Sequence, residues 1–297
     1  MTFDVAVVGG GTAGCVLAAR LSQNPDRRVC LIEAGPDYGH LSESRWPADL
    51  LDPRSFTFTH DWGAGGEDER SLGARVIGGC SVHNACMALA GTAADYDEWG
   101  EEWSYERFAP YLDLARRMLH VGPANTPEPA PFHAAFLEAA AALGLPFRDD
   151  PHDLARPTGV GRLPANVVDG VRWSTALAYL DDARSRPNLT IVADTLVDRV
   201  VLDGTRAVAA TTASGERIEA ATVVLAARTV ERLEKVAAAV QEIGGTALVV
   251  PTDITDDDSL LVALGPPDAT DTSGLDWDSL DAELQAACEV PVVEVDL

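Results

Sequence analysis

Positive charge is scarce in this sequence. Its 297 residues include 22 Lys and Arg against 47 Asp and Glu, which gives a formal net charge of -25. Residues 236–297 contain no Lys, Arg or His at all. Because nucleic-acid backbones are bound by clustered basic side chains, this composition argues against nucleic acid as a partner. The acidic stretch is typical of a solvated surface, a poorly ordered tail or a docking element for a basic partner.

Long apolar runs and paired cysteines are also missing. No run approaches the roughly 20 apolar residues that a membrane span needs. Asp4 and the glycines that follow it argue against a signal peptide. We therefore expect a cytoplasmic protein with no membrane span. The 5 cysteines are irregularly spaced and none forms a Cys-x-x-Cys pair, so we expect reduced thiols and no metal site.

A nucleotide-binding pattern lies at the N-terminal end. The apolar run Val5–Val8 predicts a buried parallel strand, and a helix is predicted from Thr12 to Ser22. The glycines between them have GxGxxG spacing, which lets the backbone approach a pyrophosphate at the helix N-terminus. A second apolar run, Val29–Ile32, ends at Glu33, whose carboxylate would accept hydrogen bonds from ribose hydroxyls. The residues predicted to bind the nucleotide, NAD or FAD, are Gly9, Gly11, Thr12, Ala13, Gly14 and Glu33.

A second glycine motif occupies residues 74–84, Ala-Arg-Val-Ile-Gly-Gly-Cys-Ser-Val-His-Asn. Its two adjacent glycines remove side chains where the backbone must run against a ligand, and its Ser and Asn supply short hydrogen-bonding groups. Two dinucleotide-type motifs in one chain indicate FAD. The residues that this motif adds to the predicted cofactor site are Arg75, Gly78, Gly79, Ser81, His83 and Asn84.

Four segments together resemble one enzyme family. They are GGGTAG, LIEAG, GGCSVHN and DGVRWSTALAYL, and the resemblance is to the glucose-methanol-choline (GMC) family of FAD-dependent oxidoreductases, over about residues 3 to 227. It implies an α/β fold with a Rossmann-like FAD-binding domain, a β-meander and a partial substrate domain. It also implies oxidation of the CH–OH group of a small-molecule alcohol, and it leaves the substrate and the electron acceptor open.

The histidine of the second motif resembles that of the choline oxidase branch of the family. In that branch a histidine at the place of His83 carries the flavin covalently, whereas the usual residue there is apolar. The resemblance therefore suggests a bond from an imidazole nitrogen to the flavin 8α-methyl carbon. The alternative is that His83 only hydrogen-bonds the cofactor or neighbouring backbone, and the sequence leaves both open.

The resemblance and the periodicity of the chain predict four segments. Residues 1–121 and 186–227 form the two parts of the FAD-binding domain, 122–185 a partial substrate domain, and 228–297 a divergent acidic C-terminal segment. Helices are predicted after Ser104, from Phe132 to Leu143, and from Ser174 to about Ala183. A meander is predicted from strands Leu189–Ala193, Leu196–Leu202, Arg206–Ala213 and Arg217–Ala220, with a further strand, Thr222–Ala227, returning to the nucleotide-binding sheet. The resemblance places the backbone near Val197 beside the adenine.

After residue 227 the sequence departs from the GMC pattern. The Gly-rich turn and second signature expected there are missing, and a helix from Thr229 to Ile243 and a strand from Thr246 to Val250 are predicted instead. Residues 222–258 resemble a fragment of the short-chain dehydrogenases, in which an Asp at the place of Asp253 sits by the adenine of NAD. The fragment lacks that family's glycine motif and its Tyr-x-x-x-Lys pair, so we expect no second cofactor site.

The departure bears on catalysis, because the GMC family places its catalytic histidine in the C-terminal part of a longer chain. No residue here matches that base, so the catalytic residues are unassigned. Replacement by His60, His133 or His152 stays open, although each is more typical of a surface or packing histidine. Three hypotheses follow: an impaired FAD-dependent oxidoreductase, a flavin-binding or interaction module without catalysis, and, ranked last, an NAD-dependent short-chain dehydrogenase.

Overall fold

The computed structural model describes residues 2–56, 59–62, 73–123, 131–148, 159–203, 206–227, 249–251 and 292–296. The helices in these ranges are α1 (Thr12–Leu21), α2 (Ala48–Leu51), α3 (Ala93–Asp97), α4 (Tyr105–Met118), α5 (Pro131–Ala142) and α6 (Asp181–Ala183). Single turns of 3-10 helix lie at Leu41–Glu43, Gly79–Val82 and Glu101–Trp103, and a π-helical turn at Ala176–Leu180. The strands are β1 (Phe3–Val8), β2 (Val29–Ile32), β3 (Gly122–Pro123), β4 (Phe147–Arg148), β5 (Val160–Gly161), β6 (Pro164–Ala165), β7 (Val167–Val168), β8 (Val171–Arg172), β9 (Leu189–Val192), β10 (Val197–Asp203), β11 (Arg206–Thr212), β12 (Arg217–Ala227), β13 (Val249–Pro251) and β14 (Val292–Asp296).

The chain divides into two compact units. Unit 1 takes the described residues within 1–46, 58–81 and 175–297, and unit 2 takes those within 47–57 and 82–174. These boundaries differ from the four segments that the sequence predicts, because residues 82–121 fall in unit 2 together with most of the predicted substrate segment. The assignment of the segments to cofactor and substrate stays a prediction.

Unit 1 is built on one sheet with the strand order β14-β10-β11-β12-β1-β2-β9, and β13 pairs with β12. β1, β2, β9 and the second half of β12 run parallel, whereas β10, β11 and the first half of β12 form an antiparallel meander. The fold is thus α/β with a mixed sheet, one half of which is parallel, as predicted. β1 and β2 read as continuous apolar runs because both of their faces are covered: Ala6, Val7, Cys30 and Leu31 are fully buried.

The meander is the one place where the predicted strand order is wrong. Leu189–Ala193 was predicted as its first strand, yet β9 pairs in parallel with β2 and forms an edge of the parallel half of the sheet. The residue before it explains the difference, because the Asn188 side-chain amide donates to the carbonyls of Ser22, Asn24 and Arg27. These bonds hold the start of β9 against the loop that leads into β2.

Two further elements differ from their predicted form. The strands predicted at 217–220 and 222–227 are one continuous strand, β12, which pairs with β11 through its first residues and with β1 from Ala220 onward. The helix predicted from Ser174 is π-helical over Ala176–Leu180 and α-helical only in α6. The helix predicted at 229–243 and the proline-rich residues 124–130 lie outside the described residues.

Unit 2 contains α2 to α5 and several two-residue strands. A cluster of aromatic rings around Tyr96 joins α3 to α4, and it includes Trp99 and Phe108 at 5.1 Å from the Tyr96 ring centre. α4 begins directly after Ser104, as predicted. α5 begins and ends within one residue of the predicted helix Phe132–Leu143. β7 and β8 form a short antiparallel hairpin that brings Asn166 and Arg172 to its open end.

Candidate functional site

The first glycine turn joins β1 to α1 in unit 1. Gly9 has φ +96° and donates its N–H to the Ile32 carbonyl at 2.8 Å, so the turn takes a backbone conformation that favours glycine. Gly11 is the N-cap of α1, and no side-chain hydrogen bond caps this end of the helix. A Cβ placed on Gly11 would meet nothing within 4 Å among the described atoms. The N-terminus of α1 therefore faces open space with N–H groups available for an anion.

The predicted ribose-binding carboxylate is buried beneath this turn. Glu33 is 5 % exposed, and its two oxygens accept hydrogen bonds from the Gly10 and Gly35 N–H groups, each at 2.8 Å. Burial raises the pKa of Glu33, while the two backbone donors and the charge of Arg75 act in the opposite direction. Glu33 thus fixes the backbone on either side of the turn. Each of its oxygens keeps a lone pair for a further donor.

Arg75 lies beside the same carboxylate. Its Nε donates to the Ala34 carbonyl at 2.9 Å, and its guanidinium lies 5.9 Å from the centre of the Trp62 ring. The backbone here is packed so closely that a Cβ on Gly35 would lie 2.0 Å from the Arg75 carbonyl oxygen. Only glycine fits at position 35, which explains the Glu-Ala-Gly sequence that follows β2.

The second glycine turn contacts the first directly. The Gly78 N–H donates to the Gly10 carbonyl at 2.7 Å. Gly79 has φ +52°, and a Cβ on it would lie 2.8 Å from the Gly11 Cα. Thr12, in the first turn of α1, directs its hydroxyl to the Gly78 carbonyl at 3.5 Å. The two motifs that are separated in the sequence therefore meet at the N-terminus of α1.

Ser81 holds the second turn from beneath. Its hydroxyl donates to the Gly78 carbonyl at 2.6 Å, accepts from the Thr175 N–H at 3.1 Å, and lies 3.0 Å from the Thr175 hydroxyl. Both residues are buried. Sequence reasoning missed Thr175, although it lies within the DGVRWSTALAYL segment that contributes to the family resemblance. The predicted contact of Ser81 with the cofactor stays a prediction.

The remaining predicted residues of unit 1 occupy supporting positions. Gly14 is buried within α1, and Ala13 precedes it on the same turn. Val197 opens β10 and packs in a buried cluster with Ala6 and Ile32, next to the end of β2. Its predicted place beside an adenine stays a prediction.

His83 and Asn84 belong to unit 2, where they follow the 3-10 turn Gly79–Val82. The Asn84 side chain accepts from the Cys86 N–H at 3.1 Å, which closes a tight turn. His83 is half-buried. The covalent and the hydrogen-bonding hypotheses for His83 both stay predictions.

The other histidines offered as a replacement base differ in their surroundings. Both ring nitrogens of His60 face hydroxyls, Nε2 that of Tyr38 at 2.7 Å and Nδ1 that of Thr59 at 2.8 Å. His133 is exposed on α5, and His152 lies outside the described residues. The described part of the chain holds no group of three or more potential metal ligands, and none of its helices is long and apolar enough to cross a membrane.

Comparison with known proteins found a matching family profile, similar curated proteins and similar solved structures. A family profile described as GMC oxidoreductase matches residues 3–238. The chain is 39% identical over 236 residues to mitochondrial choline dehydrogenase of Mus musculus, covering 69% of this chain and 39% of that protein. It is 35% identical over 235 residues to the oxygen-dependent choline dehydrogenase of Escherichia coli K12, covering 70% of this chain and 42% of that protein. The chain thus spans about two fifths of the length of these relatives.

Solved structures show the same likeness. Pyridoxine 4-oxidase from Mesorbium loti aligns with a TM-score of 0.61 at 28% identity, over 78% of this chain and 50% of that one. An FAD-dependent oxidoreductase from Chaetomium thermophilum aligns with a TM-score of 0.64 at 24% identity, over 83% of this chain and 51% of that one, and supports the fold alone.

Proposed function

The chain belongs to the GMC oxidoreductase family, and from this premise we propose that it binds FAD and takes part in oxidising the CH–OH group of a small-molecule alcohol. The observation that carries the proposal is the meeting of the two glycine turns at the open N-terminus of α1. The alternative is a flavin-binding or interaction module that has kept the fold without catalysis.

The residues of unit 1 fit the pyrophosphate and the adenosine of FAD. The open space at Gly11 and the N–H groups of α1 suit a phosphate, because a helix N-terminus is an anion site. The remaining lone pairs of Glu33 suit ribose hydroxyls. We assign the pyrophosphate to Gly9, Gly11, Gly78 and Gly79, and the ribose to Glu33.

FAD, when bound by these residues, would supply the redox chemistry as the acceptor of a hydride from the alcohol. What the chain must supply is binding, orientation and a group that removes the hydroxyl proton. His83 is proposed to hold the isoalloxazine, either through a covalent bond or through a hydrogen bond. The relatives are named choline dehydrogenases, so an alcohol of that size is the substrate class that we propose. The electron acceptor is left unassigned.

We further propose that alcohol turnover by this chain alone is reduced. Residues 228–297 contain no histidine, so the family's C-terminal catalytic histidine has no counterpart there. Loss of a general base typically costs about 10²- to 10⁴-fold in rate. Both ring nitrogens of His60 hydrogen-bond hydroxyls, so His60 would have to exchange one of these partners for the alcohol in order to replace the missing base. The cytoplasmic location expected from the sequence stays a prediction.

The first experiment is an absorbance spectrum of the purified protein before and after acid precipitation. We expect a flavin spectrum, and flavin that stays with the pellet would support the covalent link through His83. Anaerobic addition of choline would then bleach the flavin slowly if the chain is an impaired oxidoreductase, whereas an unchanged spectrum would favour the binding module. A colourless protein that takes up no added FAD would contradict the proposal.

The Glu33→Ala variant tests the assigned ribose contact. We expect FAD retention to fall by at least about tenfold, because the variant removes the buried carboxylate and leaves two backbone donors without their acceptor. The matched control is Asp37→Ala, which also removes a carboxylate after β2, one that pairs with Arg184. Unchanged flavin content in Glu33→Ala would reject the assigned role.

A further inference from the structure

Arg172 is among the largest fully buried side chains of the described part of the chain, at 1 % exposure. Its guanidinium donates to three backbone carbonyls: Nη1 to Val82, and Nη2 to Asp52 at 2.9 Å and to Ser55 at 2.6 Å. All four residues belong to unit 2. A buried cation is costly unless it is well hydrogen-bonded, so its presence at this place requires a reason beyond filling space.

The carbonyl of Val82 is the group immediately before His83. Because Arg172 holds that carbonyl, it fixes the peptide plane from which the His83 backbone begins. Arginine suits this task because its planar fork offers several donors in fixed directions, so one side chain can hold separate carbonyls at once.

The other end of the turn that carries His83 is held by the same hairpin. Cys86 has φ +58°, a left-handed conformation that a non-glycine residue adopts only when its surroundings impose it. Its carbonyl accepts from the Asn166 N–H at 3.1 Å. The Asn166 side chain in turn donates to the Trp173 carbonyl at 2.8 Å, and the Trp173 N–H donates to the Asn166 carbonyl at 2.8 Å. The open end of the β7–β8 hairpin therefore holds residues 82–86 from both sides.

We propose that Arg172 is a positioning residue that sets where the His83 imidazole lies, with Asn166 supporting it at the other end of the turn. The inference rests on the proposed function, in which His83 holds the flavin. A reactive or binding group must be held within about 0.5 Å of its productive position, and the side chain of His83 inherits any displacement of its own backbone. Arg172 acts through His83 and not on the cofactor itself.

Arg172→Lys is the test, with Arg186→Lys as its matched control. Lys keeps the positive charge but, with one nitrogen, cannot hold the carbonyls of Val82, Asp52 and Ser55 in the same geometry. Arg186 also donates to a backbone carbonyl, that of Ala19, but it lies in unit 1. Both variants therefore lose guanidinium hydrogen bonds, but only Arg172→Lys should displace the backbone of His83.

The readout is the imidazole resonance of His83 in the ¹⁵N-histidine-labelled protein, assigned with His83→Gln and recorded with and without added FAD. We expect Arg172→Lys to shift or broaden this resonance in both states, and to lower flavin retention at least tenfold. Arg186→Lys should leave the resonance unmoved and retention within twofold. A His83 resonance that is unmoved in Arg172→Lys would overturn the inference, whatever happens to the flavin.

The measurement separates this inference from the proposed function. Failure of the wild-type protein to take up FAD would reject the function, while the resonance in the FAD-free protein would still decide whether Arg172 positions His83. Should Arg172→Lys fail to fold, Arg172→Gln takes its place, since its side-chain amide can donate to a neighbouring carbonyl but lacks the guanidinium fork that holds Val82, Asp52 and Ser55 together. It should shift or broaden the His83 resonance and lower retention at least tenfold, and an unmoved resonance there would equally overturn the inference.

Discussion

The first glycine turn in unit 1 is held by backbone hydrogen bonds and by one buried carboxylate, that of Glu33, whereas the His83 turn in unit 2 is held by the buried guanidinium of Arg172 and by the backbone of Asn166. In unit 1 the Gly9 and Gly78 N–H groups bond to carbonyls of neighbouring segments, and the sheet places those segments. In unit 2 the strands near His83 are two residues long, and Arg172 and Asn166 fix the turn. The glycine turns therefore depend on positions that carry no side chain, whereas the His83 turn depends on a guanidinium, whose several donors in fixed directions no other side chain supplies. The two regions should therefore fail in different ways when they are altered.

The largest effect is expected at Gly35. In Gly35→Ala the new methyl carbon would lie 2.0 Å from the Arg75 carbonyl oxygen and 2.2 Å from its carbon. Because backbone must move, the free energy of unfolding should fall by at least about 3 kcal/mol, as measured by urea denaturation. Gly11→Ala is the control, since its methyl group would meet nothing within 4 Å.

The control itself carries information about the cofactor. Gly11→Ala should keep its free energy of unfolding within about 1 kcal/mol of the wild type, yet weaken FAD binding at least tenfold, because the methyl group would occupy the space assigned to the pyrophosphate. If Gly35→Ala were as stable as Gly11→Ala, the close backbone packing that distinguishes unit 1 would be disproved.

A smaller effect is expected at Ser81, whose hydroxyl supports the second glycine turn of unit 1. Ser81→Ala removes the donor to Gly78 and leaves the buried Thr175 N–H without its acceptor. We expect a loss of about 1–2 kcal/mol in the free energy of unfolding and FAD binding that is three- to tenfold weaker. Thr175→Ser, which keeps the hydroxyl, should change both by much less. Equal losses in the two variants would show that the methyl group of Thr175 matters and the hydroxyl pair does not.

The smallest perturbation is chemical labelling of the native cysteines, which compares the opening of the two units without a mutation. Burial raises the pKa of Cys15 and of Cys30 from the ordinary value of 9.0 to about 12. Their thiolate fraction at pH 8 is therefore about 10³-fold lower than that of a thiol with the ordinary pKa. Burial also raises the pKa of Cys86 in unit 2. Iodoacetamide labelling followed by mass spectrometry should modify Cys86 before Cys15 and Cys30, because short strands open locally more easily than the central sheet. The reverse order would contradict the comparison.

The same contrast explains how much could be predicted from the sequence. β1, α1 and β2 were predicted within two residues, because continuous apolar runs and a glycine turn specify a parallel strand, a helix and a second strand. From the sequence we expected the two glycine turns to share a cofactor but not to contact each other. No local pattern indicates that the Gly78 N–H donates to the Gly10 carbonyl.

Polar interactions between distant residues were the part that the sequence could not supply. The side-chain amide of Asn188 places β9 beside β2, but in the sequence Asn188 is only one of the polar residues of a loop. Its three acceptor carbonyls lie more than 160 positions earlier in the chain. In the sequence Arg172 is marked only by its place in the DGVRWSTALAYL segment, and no role was predicted for it. Its role depends on the carbonyls of residues 52, 55 and 82, which periodicity does not reveal.

The pairing of β1 with β12 also limits when the sheet can form during synthesis. Phe3 pairs with Ala220 and Val8 with Leu225, so one edge of the first strand must wait until the ribosome has added more than 200 residues. Contacts between such distant residues slow folding, and unpaired apolar strands invite aggregation while they wait. The nascent chain therefore has a long interval in which β1 lacks its β12 neighbour and β2 lacks its β9 neighbour. We expect its yield during synthesis to depend on chaperones more than that of a protein whose first strands pair locally.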